Sequence, residues 1–551
     1  MAPVLSTLAS LCALAGAVSG AAVVNERAAL EQRQLPSAYA PLTVPCPRGS
    51  LNRAANGLGT AETAYIAGRR TKADAALAAW LKRVDPAFNT SSLPVLGLST
   101  SGGGYRSLLN GAGVVQAFDE RDSNVGTSGV FQGLSYYSGL SGGAWLLSSL
   151  SGNNWPTISA LRDTLWADRF EDSLLVPNNL LSALAYVAVI NDILAKDAAG
   201  FDPTVVDPWG RLLSYQLLRG INGGVLERLS GLANKANFTS HNVPFPIMTA
   251  LGVETFQGQC TPQFNSTQYE FTPYEFGSWD AGIRAFTNAA FLGTNQTNNA
   301  PISRLRCTIN YDNLGYIFGT SSDIFSDICG IIPPSNGTLA GALQDIITRA
   351  HPPSSDDTYG IFTNPFYRSP GSPLIASQTQ LNLADGGLGD QNNPLWPLIQ
   401  PERPLSVVIV NDNSADTDDN FPDGREIRNT YLRAREVGLT KMPPVPDNAT
   451  FVAQGLNKRA TFFGCDDSDT ITMVFLPNVA YNFMSNTATA KVQYSRNETA
   501  GVIGNGNLIA TQNGDAEWPR CLGCAVQLKT GTTLPEGCQA CLDRYCYRGP
   551  V

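Results

Sequence analysis

Charged residues are scarce in this chain, and the basic ones form no cluster. Asp, Glu, Lys and Arg make up 15% of the 551 residues, and the formal net charge is −9. An average soluble domain carries about 25% charged residues. An acidic chain without Lys/Arg clusters lacks the electrostatic footprint of a nucleic-acid-binding protein. The composition therefore argues against a nucleic-acid partner, and no obligate protein partner is evident.

Long apolar runs are also absent after the N-terminus. The most apolar segment, residues 180–194, is shorter than the ~20 residues that a helix needs to span a bilayer. Residues 545–551 form no apolar tail, so we expect no GPI anchor. Segment 180–194 is either a lid or interfacial patch, or a buried core helix, and the sequence leaves both interpretations open.

Only two histidines occur, His241 and His351. A serine hydrolase normally uses a histidine as the base that activates its nucleophile. Neither histidine lies in a recognisable motif, although either could serve. A nucleophilic serine in this chain is therefore activated by one of these two residues or by a group of another kind.

The N-terminus and the cysteines predict a secreted protein. Residues 1–20 are typical of a signal peptide, with an apolar stretch that ends in small residues, although no Lys or Arg precedes it. We interpret residues 21–45 as a propeptide or N-terminal arm and residues 46–551 as one catalytic domain. Apart from Cys12 in the signal, ten cysteines remain, an even set that an oxidising compartment would pair.

Five of these ten cysteines lie in a tail, residues 515–551. Their two C-x-x-C spacings also fit a zinc ribbon, but a disulfide-stapled tail is favoured in a secreted chain. Seven N-x-S/T sequons support an extracellular or cell-wall location and predict surface positions. The sequon asparagines are Asn89, Asn237, Asn265, Asn295, Asn336, Asn448 and Asn497.

Short apolar runs rich in β-branched residues alternate with helical stretches along the chain. They include residues 95–98, 243–251, 405–410 and 471–476. This alternation predicts an α/β fold of three layers, in which helices cover both faces of a mostly parallel central sheet.

Two glycine-rich turns each follow one apolar run and precede one helical pattern. The second, residues 139–145, contains a G-x-S-x-G sequence centred on Ser141. At a strand–turn–helix junction this sequence is a nucleophile elbow, which presents the serine hydroxyl outside the backbone. The alternative is a structural Gly-Ser-Gly turn without chemistry.

The first glycine turn, residues 101–106, suits an oxyanion hole. The amides of Gly102–Gly104 stand at a helix start, where N–H groups lack helical partners and can converge on one oxygen. Arg106 follows at once, and its planar fork suits a phosphate-bearing substrate. A nucleotide-binding loop is disfavoured because no G-K-[ST] ending or G-x-G-x-x-G spacing is present. A tight turn and a surface arginine are the alternatives without function.

A third glycine turn offers a base other than histidine. Asp385 begins the sequence Asp-Gly-Gly at residues 385–387, before the apolar run 405–410. A carboxylate within hydrogen-bond reach of a serine can accept its proton. On chemistry alone the indication is weak, since Asp-Gly-Gly is common in turns. The acidic stretch 412–423 could hold calcium, but a solvated loop is favoured because its spacing fits no EF-hand.

Together these turns resemble the fungal lysophospholipase/phospholipase B family, which is related to the catalytic domain of cytosolic phospholipases and, more distantly, to patatins. The resemblance spans roughly residues 46–546. It rests on the segments 101–106 (S-G-G-G-Y-R), 139–145 (G-L-S-G-G-A-W), 271–280 (F-T-P-Y-E-F-G-S-W-D), 385–387 (D-G-G) and 393–399 (N-P-L-W-P-L-I).

The resemblance implies a Ser–Asp dyad without histidine. Ser141 would be the nucleophile, Asp385 the base, Gly103 and Gly104 the oxyanion amides, and Arg106 the phosphate contact. It also implies a cap or lid insertion, no cofactor and no metal. Two departures stand out: Ala144 replaces a common Ser or Thr, and residues 388–390 are less acidic than the family pattern.

We therefore expect a secreted esterase that removes acyl chains from lysophospholipids and diacyl glycerophospholipids in micelles or membranes, with transacylation as a further outcome of its acyl-enzyme. Two other functions stay open. One is a neutral-lipid esterase that uses His241 or His351, and the other is a catalytically silent surface glycoprotein.

Overall fold

A computed structural model describes residues 37–171, 180–334 and 337–551. Within them a twelve-stranded sheet dominates, and two further sheets have two strands each. The strands of the large sheet are β2 (Asn52–Ala54), β3 (Leu96–Thr100), β4 (Leu134–Gly139), β5 (Phe245–Val253), β6 (Gln268–Phe271), β7 (Glu275–Ser278), β8 (Ala285–Asn288), β12 (Gly360–Thr363), β13 (Gln380–Ala384), β14 (Val407–Asp412), β15 (Thr461–Phe463) and β16 (Thr472–Pro477). The small sheets pair β1 (Leu42–Val44) with β11 (Cys307–Ile309) and β9 (Gln296–Thr297) with β10 (Ala300–Pro301).

The α-helices of the described residues connect and cover these strands. In chain order they are α1 (Thr60–Val84), α2 (Gly104–Phe118), α3 (Val130–Gly133), α4 (Gly142–Gly152), α5 (Ile158–Leu161), α6 (Ala167–Arg169), α7 (Leu180–Ala198), α8 (Val206–Leu217), α9 (Ala236–Thr239), α10 (Leu314–Ser321), α11 (Leu339–Ile347), α12 (Arg425–Val437), α13 (Asn448–Ala453), α14 (Arg496–Ala510), α15 (Trp518–Gln527) and α16 (Cys538–Tyr545). None of the helices within the described ranges is both long and apolar enough to cross a membrane.

The centre of the large sheet is parallel. Strands β16, β14, β3, β4 and β5 are consecutive neighbours, and all four of their pairings are parallel. Every residue of these five strands is buried, so both faces of the sheet are covered. The predicted three-layer α/β fold is confirmed.

Beyond the centre the sheet is antiparallel, which the sequence analysis did not anticipate. From β5 it continues through β6, β7, β8 and β2, and β15 closes the opposite edge. Connections as short as residues 272–274 cannot make the crossover that a parallel pair needs. The sheet is therefore mixed, with the parallel strands confined to its middle.

Strands β4 and β13 meet end to end along one edge of β5. Gly139, at the end of β4, pairs with Met248, and Ala384, at the end of β13, pairs with Leu251. Since β6 pairs with both Met248 and Leu251, it occupies the other edge of β5. β4 runs parallel to β5 and β13 antiparallel, so their carboxyl ends point at each other. The turns that follow these two strands are thereby brought face to face.

All ten cysteines outside the N-terminal segment are paired, as the sequence analysis expected. The bonds are Cys46–Cys307, Cys260–Cys329, Cys465–Cys546, Cys521–Cys541 and Cys524–Cys538. The last two staple α15 to α16. Because these four cysteines are oxidised in pairs, the zinc-ribbon alternative is wrong.

Several predictions concern parts of the chain outside the described residues. These are the signal peptide, residues 21–36 of the N-terminal arm, and the sequon at Asn336. Of the other sequon asparagines, four are exposed, namely Asn89, Asn265, Asn295 and Asn497. The remaining two are partly buried, and their side-chain amides donate to Asn154 and Asp423: they are Asn237 and Asn448.

The apolar segment 180–194 lies in helix α7. Leu184 and Val187 are exposed, whereas Val189 and Ile193 are buried. The helix thus packs one side against the core and exposes apolar side chains on another, so it is not a fully buried core helix.

Candidate active site

Ser141 occupies a sharp turn between β4 and α4. Its backbone angles are φ 51° and ψ −120°, a region that a non-glycine residue adopts only when its surroundings impose it. Its N–H donates to Ser321 Oγ over 3.0 Å, and that hydroxyl donates to the carbonyl of Thr249 over 2.7 Å. Strand β5 and the end of α10 therefore hold the turn in place. The predicted nucleophile elbow has the expected strand–turn–helix structure.

The turn also needs glycine beside Ser141. A Cβ atom at Gly142 would lie 2.0 Å from the carbonyl oxygen of Gly104, too close for any side chain. The elbow and the first glycine turn therefore touch through their backbones. This contact places the N-terminus of α2 next to the serine.

Asp385 faces Ser141 from the opposite strand end. Its carboxylate accepts a hydrogen bond from the Ser141 side chain and another, over 2.8 Å, from the N–H of Gly387. Its own N–H donates to the carbonyl of Asp323 over 3.0 Å. Burial raises the pKa of Asp385 to about 6, and the two accepted hydrogen bonds limit the rise. The carboxylate is thus close to half-protonated in mildly acidic solution.

The glycine loop before α2 adopts conformations that suit glycine. Gly103 has φ 135° and Gly104 has φ 58°, and a Cβ at Gly102 would lie 3.1 Å from that of Ser141. Among residues 37–171, 180–334 and 337–551, no acceptor pairs with the N–H of Gly103 or Gly104. Two unpaired amides beside a serine can stabilise an oxygen anion that forms there.

Arg106 is buried behind this loop. It donates to the carbonyl of Asn413 over 2.9 Å, to the carbonyl of Thr487 over 2.5 Å and to the hydroxyl of Thr489 over 3.1 Å. Burial lowers the pKa of Arg106 to about 10, so it remains a cation at neutral pH. A guanidinium has five N–H donors, which leaves part of its fork for a ligand. The alternative of a surface arginine is wrong, since the side chain is buried.

These groups line one cavity of about 320 Å³. Its lining combines the three glycine turns with acidic and basic side chains from the loop before α12 and from α12 itself. The lining residues are Gly103, Arg106, Ser141, Ile324, Asp385, Gly387, Leu388, Asp390, Asn392, Ala415, Asp416, Arg425, Glu426 and Thr489.

Neither histidine lines this cavity. His241 packs beside Tyr65 of α1, with ring centroids 5.1 Å apart. The ring nitrogens of His351 lie 2.8 Å and 2.9 Å from the carbonyl oxygens of Pro352 and Pro203. The structure thus brings together Ser141, Asp385, Gly103, Gly104 and Arg106, and it keeps both histidines apart from them.

Sequence reasoning missed the acidic wall of this cavity. The sequence favours a solvated loop for residues 412–423, yet the side chains of Asp412 and Asp416 are buried. Glu426 joins them from the first turn of α12 and accepts the N–H of Asn392 over 2.7 Å. No local spacing signalled this arrangement, because the loop, α12 and the segment after Asp385 come together only in the fold.

The fold and the cavity define a class: an α/β protein with a serine elbow, a facing carboxylate and a glycine-lined anion site. A family model described as lysophospholipase catalytic domain matches residues 96–551. The chain belongs to this lysophospholipase family and is a hydrolase of that family.

Relatives of known name agree with this assignment. The chain is 36% identical to Lysophospholipase 2 of Aspergillus fumigatus, with 94% of each chain covered. It is also 36% identical to Lysophospholipase 1 of Saccharomyces cerevisiae, with 94% of this chain and 84% of the yeast protein covered. Among solved structures, human GIVD cytosolic phospholipase A2 matches 88% of this chain and 72% of its own at a TM-score of 0.66. Its identity is 17%, so this likeness concerns the fold.

Proposed function

We propose that this protein is a secreted lysophospholipase that works through a Ser141–Asp385 dyad. One observation carries the proposal: Ser141 hydrogen-bonds Asp385 in a cavity that neither histidine lines. The family assignment supports the reaction class, since its named relatives are lysophospholipases. The ten paired cysteines support an oxidising, extracellular location.

The first half-reaction transfers the acyl chain to the protein. Ser141 Oγ attacks the ester carbonyl while Asp385 accepts its proton, and the amides of Gly103 and Gly104 stabilise the tetrahedral oxyanion. The carbon–oxygen bond to the glycerol then breaks. Asp385, now protonated, returns the proton to the departing glycerol oxygen. The products are an acyl-Ser141 ester and the glycerophosphate alcohol.

The second half-reaction releases the fatty acid. Asp385 takes a proton from a water that attacks the acyl ester, and it returns that proton to Ser141 Oγ as the ester bond breaks. If a second lysophospholipid replaces water, its hydroxyl receives the acyl chain and the outcome is transacylation. Diacyl substrates would react by the same steps, because the attack requires only an ester carbonyl at Ser141.

Arg106 would bind the phosphate of the substrate. It lines the same cavity as Ser141, it stays charged at neutral pH, and part of its fork is free. Its hydrogen bonds to Asn413, Thr487 and Thr489 hold the guanidinium plane in place before substrate arrives. Such preorganisation lowers the entropic cost of binding, because the side chain is already ordered.

The decisive experiment compares fatty-acid release from lysophosphatidylcholine and from a triglyceride by wild type, Asp385→Asn and a double variant His241→Gln/His351→Gln. We expect phospholipid-selective release that falls about 10⁴-fold in Asp385→Asn, as when a triad member is removed. The histidine double variant should keep wild-type activity. Activity that survives Asp385→Asn and disappears in the histidine variant would instead establish a histidine-dependent esterase.

A fluorophosphonate probe separates an enzyme from a silent glycoprotein. The human cytosolic phospholipase noted above has been solved in complex with methyl gamma-linolenyl fluorophosphonate. We expect such a reagent to label wild type stoichiometrically and to leave Ser141→Ala unlabelled. Equal labelling of both proteins, or of neither, would contradict the proposed nucleophile.

A further inference from the structure

Acidic side chains outnumber basic ones in the lining of the cavity around Ser141. Asp390, Asp416 and Glu426 line it, and the buried Asp412 is near enough to raise the pKa values of Asp416 and Glu426. The cation nearest to these carboxylates, Arg425, donates to the main-chain carbonyl of Asp416 over 2.7 Å and lies 3.9 Å from its carboxylate, and its own side chain is 43% exposed. Buried carboxylates are normally paired with a cation. This group is not.

Glu426 shows the imbalance most clearly. It is 7% exposed and lines the cavity, and Oε2 accepts one backbone N–H, from Asn392. Among the described residues, no donor or cation pairs with its other oxygen, Oε1. Burial and the neighbouring Asp416 carboxylate together raise the pKa of Glu426 well above its usual range. A buried carboxyl that faces a cavity without a counter-ion is a group prepared for a cationic ligand.

The acidic group lies beside Arg106. Asp416 and Asp412 both act electrostatically on the guanidinium. The hydrogen bonds of Arg106, however, are donated to carbonyl groups and a threonine hydroxyl and not to these carboxylates. One cavity thus holds a buried cation and, next to it, Asp416 with one long ion pair and Glu426 with none. A ligand that complements both carries an anion and a cation a few bonds apart.

We propose that Asp416 and Glu426 form a subsite for the ammonium group of a zwitterionic headgroup, choline or ethanolamine. The inference rests on the proposed function, in which Arg106 binds the substrate phosphate. Two carbons separate that phosphate from the amine nitrogen in such lipids, so the amine reaches the acids adjoining Arg106. Asp390, at the rim, adds a further negative charge. Asp416 and Glu426 therefore determine headgroup specificity and take no part in the ester chemistry.

The test measures kcat/KM for lysophosphatidylcholine and lysophosphatidylglycerol of the same acyl chain, both in neutral detergent micelles at mildly alkaline pH, where the acids ionise most readily. The two lipids share the phosphate and the ester and differ in the cation. We expect the kcat/KM of wild type to be about tenfold higher for the choline lipid, because one charge contact in a partly desolvated site changes binding by about that factor. Glu426→Gln and Asp416→Asn should reduce that preference to about threefold or less by lowering the choline rate alone.

Internal controls make the result decisive. Activity on the glycerol lipid reports whether each variant is folded, and Asp418→Asn removes an exposed acid of the same loop that does not line the cavity. Glycerophosphocholine should inhibit wild type more strongly than glycerophosphoglycerol does, and the difference should shrink in Glu426→Gln. Equal rates for both lipids in wild type would overturn the inference, as would an unchanged preference in both variants. Loss of the preference on adding EDTA would also overturn it, because a metal would then occupy the acids.

Failure of this inference is distinct from failure of the proposed function. If Ser141→Ala retains release from either lipid, the dyad is wrong whatever the headgroup preference. If release depends on Ser141 and Asp385 but ignores the headgroup, the dyad stands and the ammonium subsite does not exist.

Discussion

Two buried clusters of charge in this molecule are built in opposite ways. In the first, Arg403 is fully buried between Glu62 of α1 and Glu270 of β6, with contacts of 2.8 Å and 2.6 Å. In the second, Asp416 and Glu426 line the cavity of Ser141, and the cation closest to them is 3.9 Å away. We call the Arg403 cluster closed, because its carboxylates contact their cation directly. We call the Asp416–Glu426 cluster open, because its carboxyl groups line a cavity that a ligand can enter.

This difference indicates which buried charged groups have a structural role and which belong to a functional site. Desolvating a carboxylate costs several kcal/mol, and only a close partner offsets that cost. The Arg403 cluster meets this condition and joins α1, the sheet and the loop before β14. The cavity cluster does not meet it, so its acids are expected to gain stabilisation when substrate binds. Close pairing with a cation thus marks a structural cluster here, and buried carboxyl groups without a close cation mark a candidate site.

The largest effect should follow from breaking the closed cluster. Arg403→Met leaves Glu62 and Glu270 buried without a cation, and we expect the free energy of unfolding to fall by about 3–5 kcal/mol. Denaturant unfolding measures it. The exposed pair of Arg496 and Asp168 is the control, since Arg496→Met should cost less than about 1 kcal/mol. A loss as small as that of the control would remove the distinction between the clusters.

Next comes a change in the open site that acts on activity. In Gly103→Ala the new methyl group would lie 2.8 Å from the carbonyl of Asn413, at a φ of 135° that side chains avoid. We expect kcat to fall about 10²–10³-fold because the oxyanion amide is displaced. Gly504→Ala, where a Cβ meets nothing within 4 Å, should leave kcat unchanged. Comparable losses in both variants would show that the effect is not local to the oxyanion site.

The open cluster should also make stability depend on pH. Burial and the Asp412 carboxylate raise the pKa of Asp416 to about 8, so the folded protein holds a proton there that the unfolded chain releases near pH 4. Stability therefore falls as pH rises between these values. We expect Asp416→Asn to reduce that fall by about 2 kcal/mol. Unfolding measured across this range tests it, with Asp418→Asn as the control that should behave like wild type.

The smallest expected effect concerns the base itself. Asp385 accepts a proton only when ionised, and its pKa is raised to about 6 by burial. The kcat/KM profile should therefore fall about tenfold per pH unit below that value and level off above it. Burial also raises the pKa of the neighbouring Asp323 well above its usual range. A limb that vanishes in His351→Gln would assign the titration to histidine instead.

Much of the site was accessible from local sequence. The strand, turn and helix around Ser141 are contiguous in the chain, and the same holds for the loop of Gly103 and Gly104. Asp385 was a weak candidate from chemistry alone, and only its order among the other motifs raised it. The acids Asp416 and Glu426 escaped notice, because nothing in residues 412–426 indicates that they are buried.

The sequence alone determined the α/β class, the serine elbow and the glycine loop, since each depends on residues adjacent in the chain. It also determined that ten cysteines would pair, but not with which partners. Tertiary structure decided the rest. It set β4 and β13 end to end on β5, so that Ser141 meets Asp385 across residues 248–251. It also buried two acids beside Arg106, because burial and charge pairing depend on segments far apart in the chain.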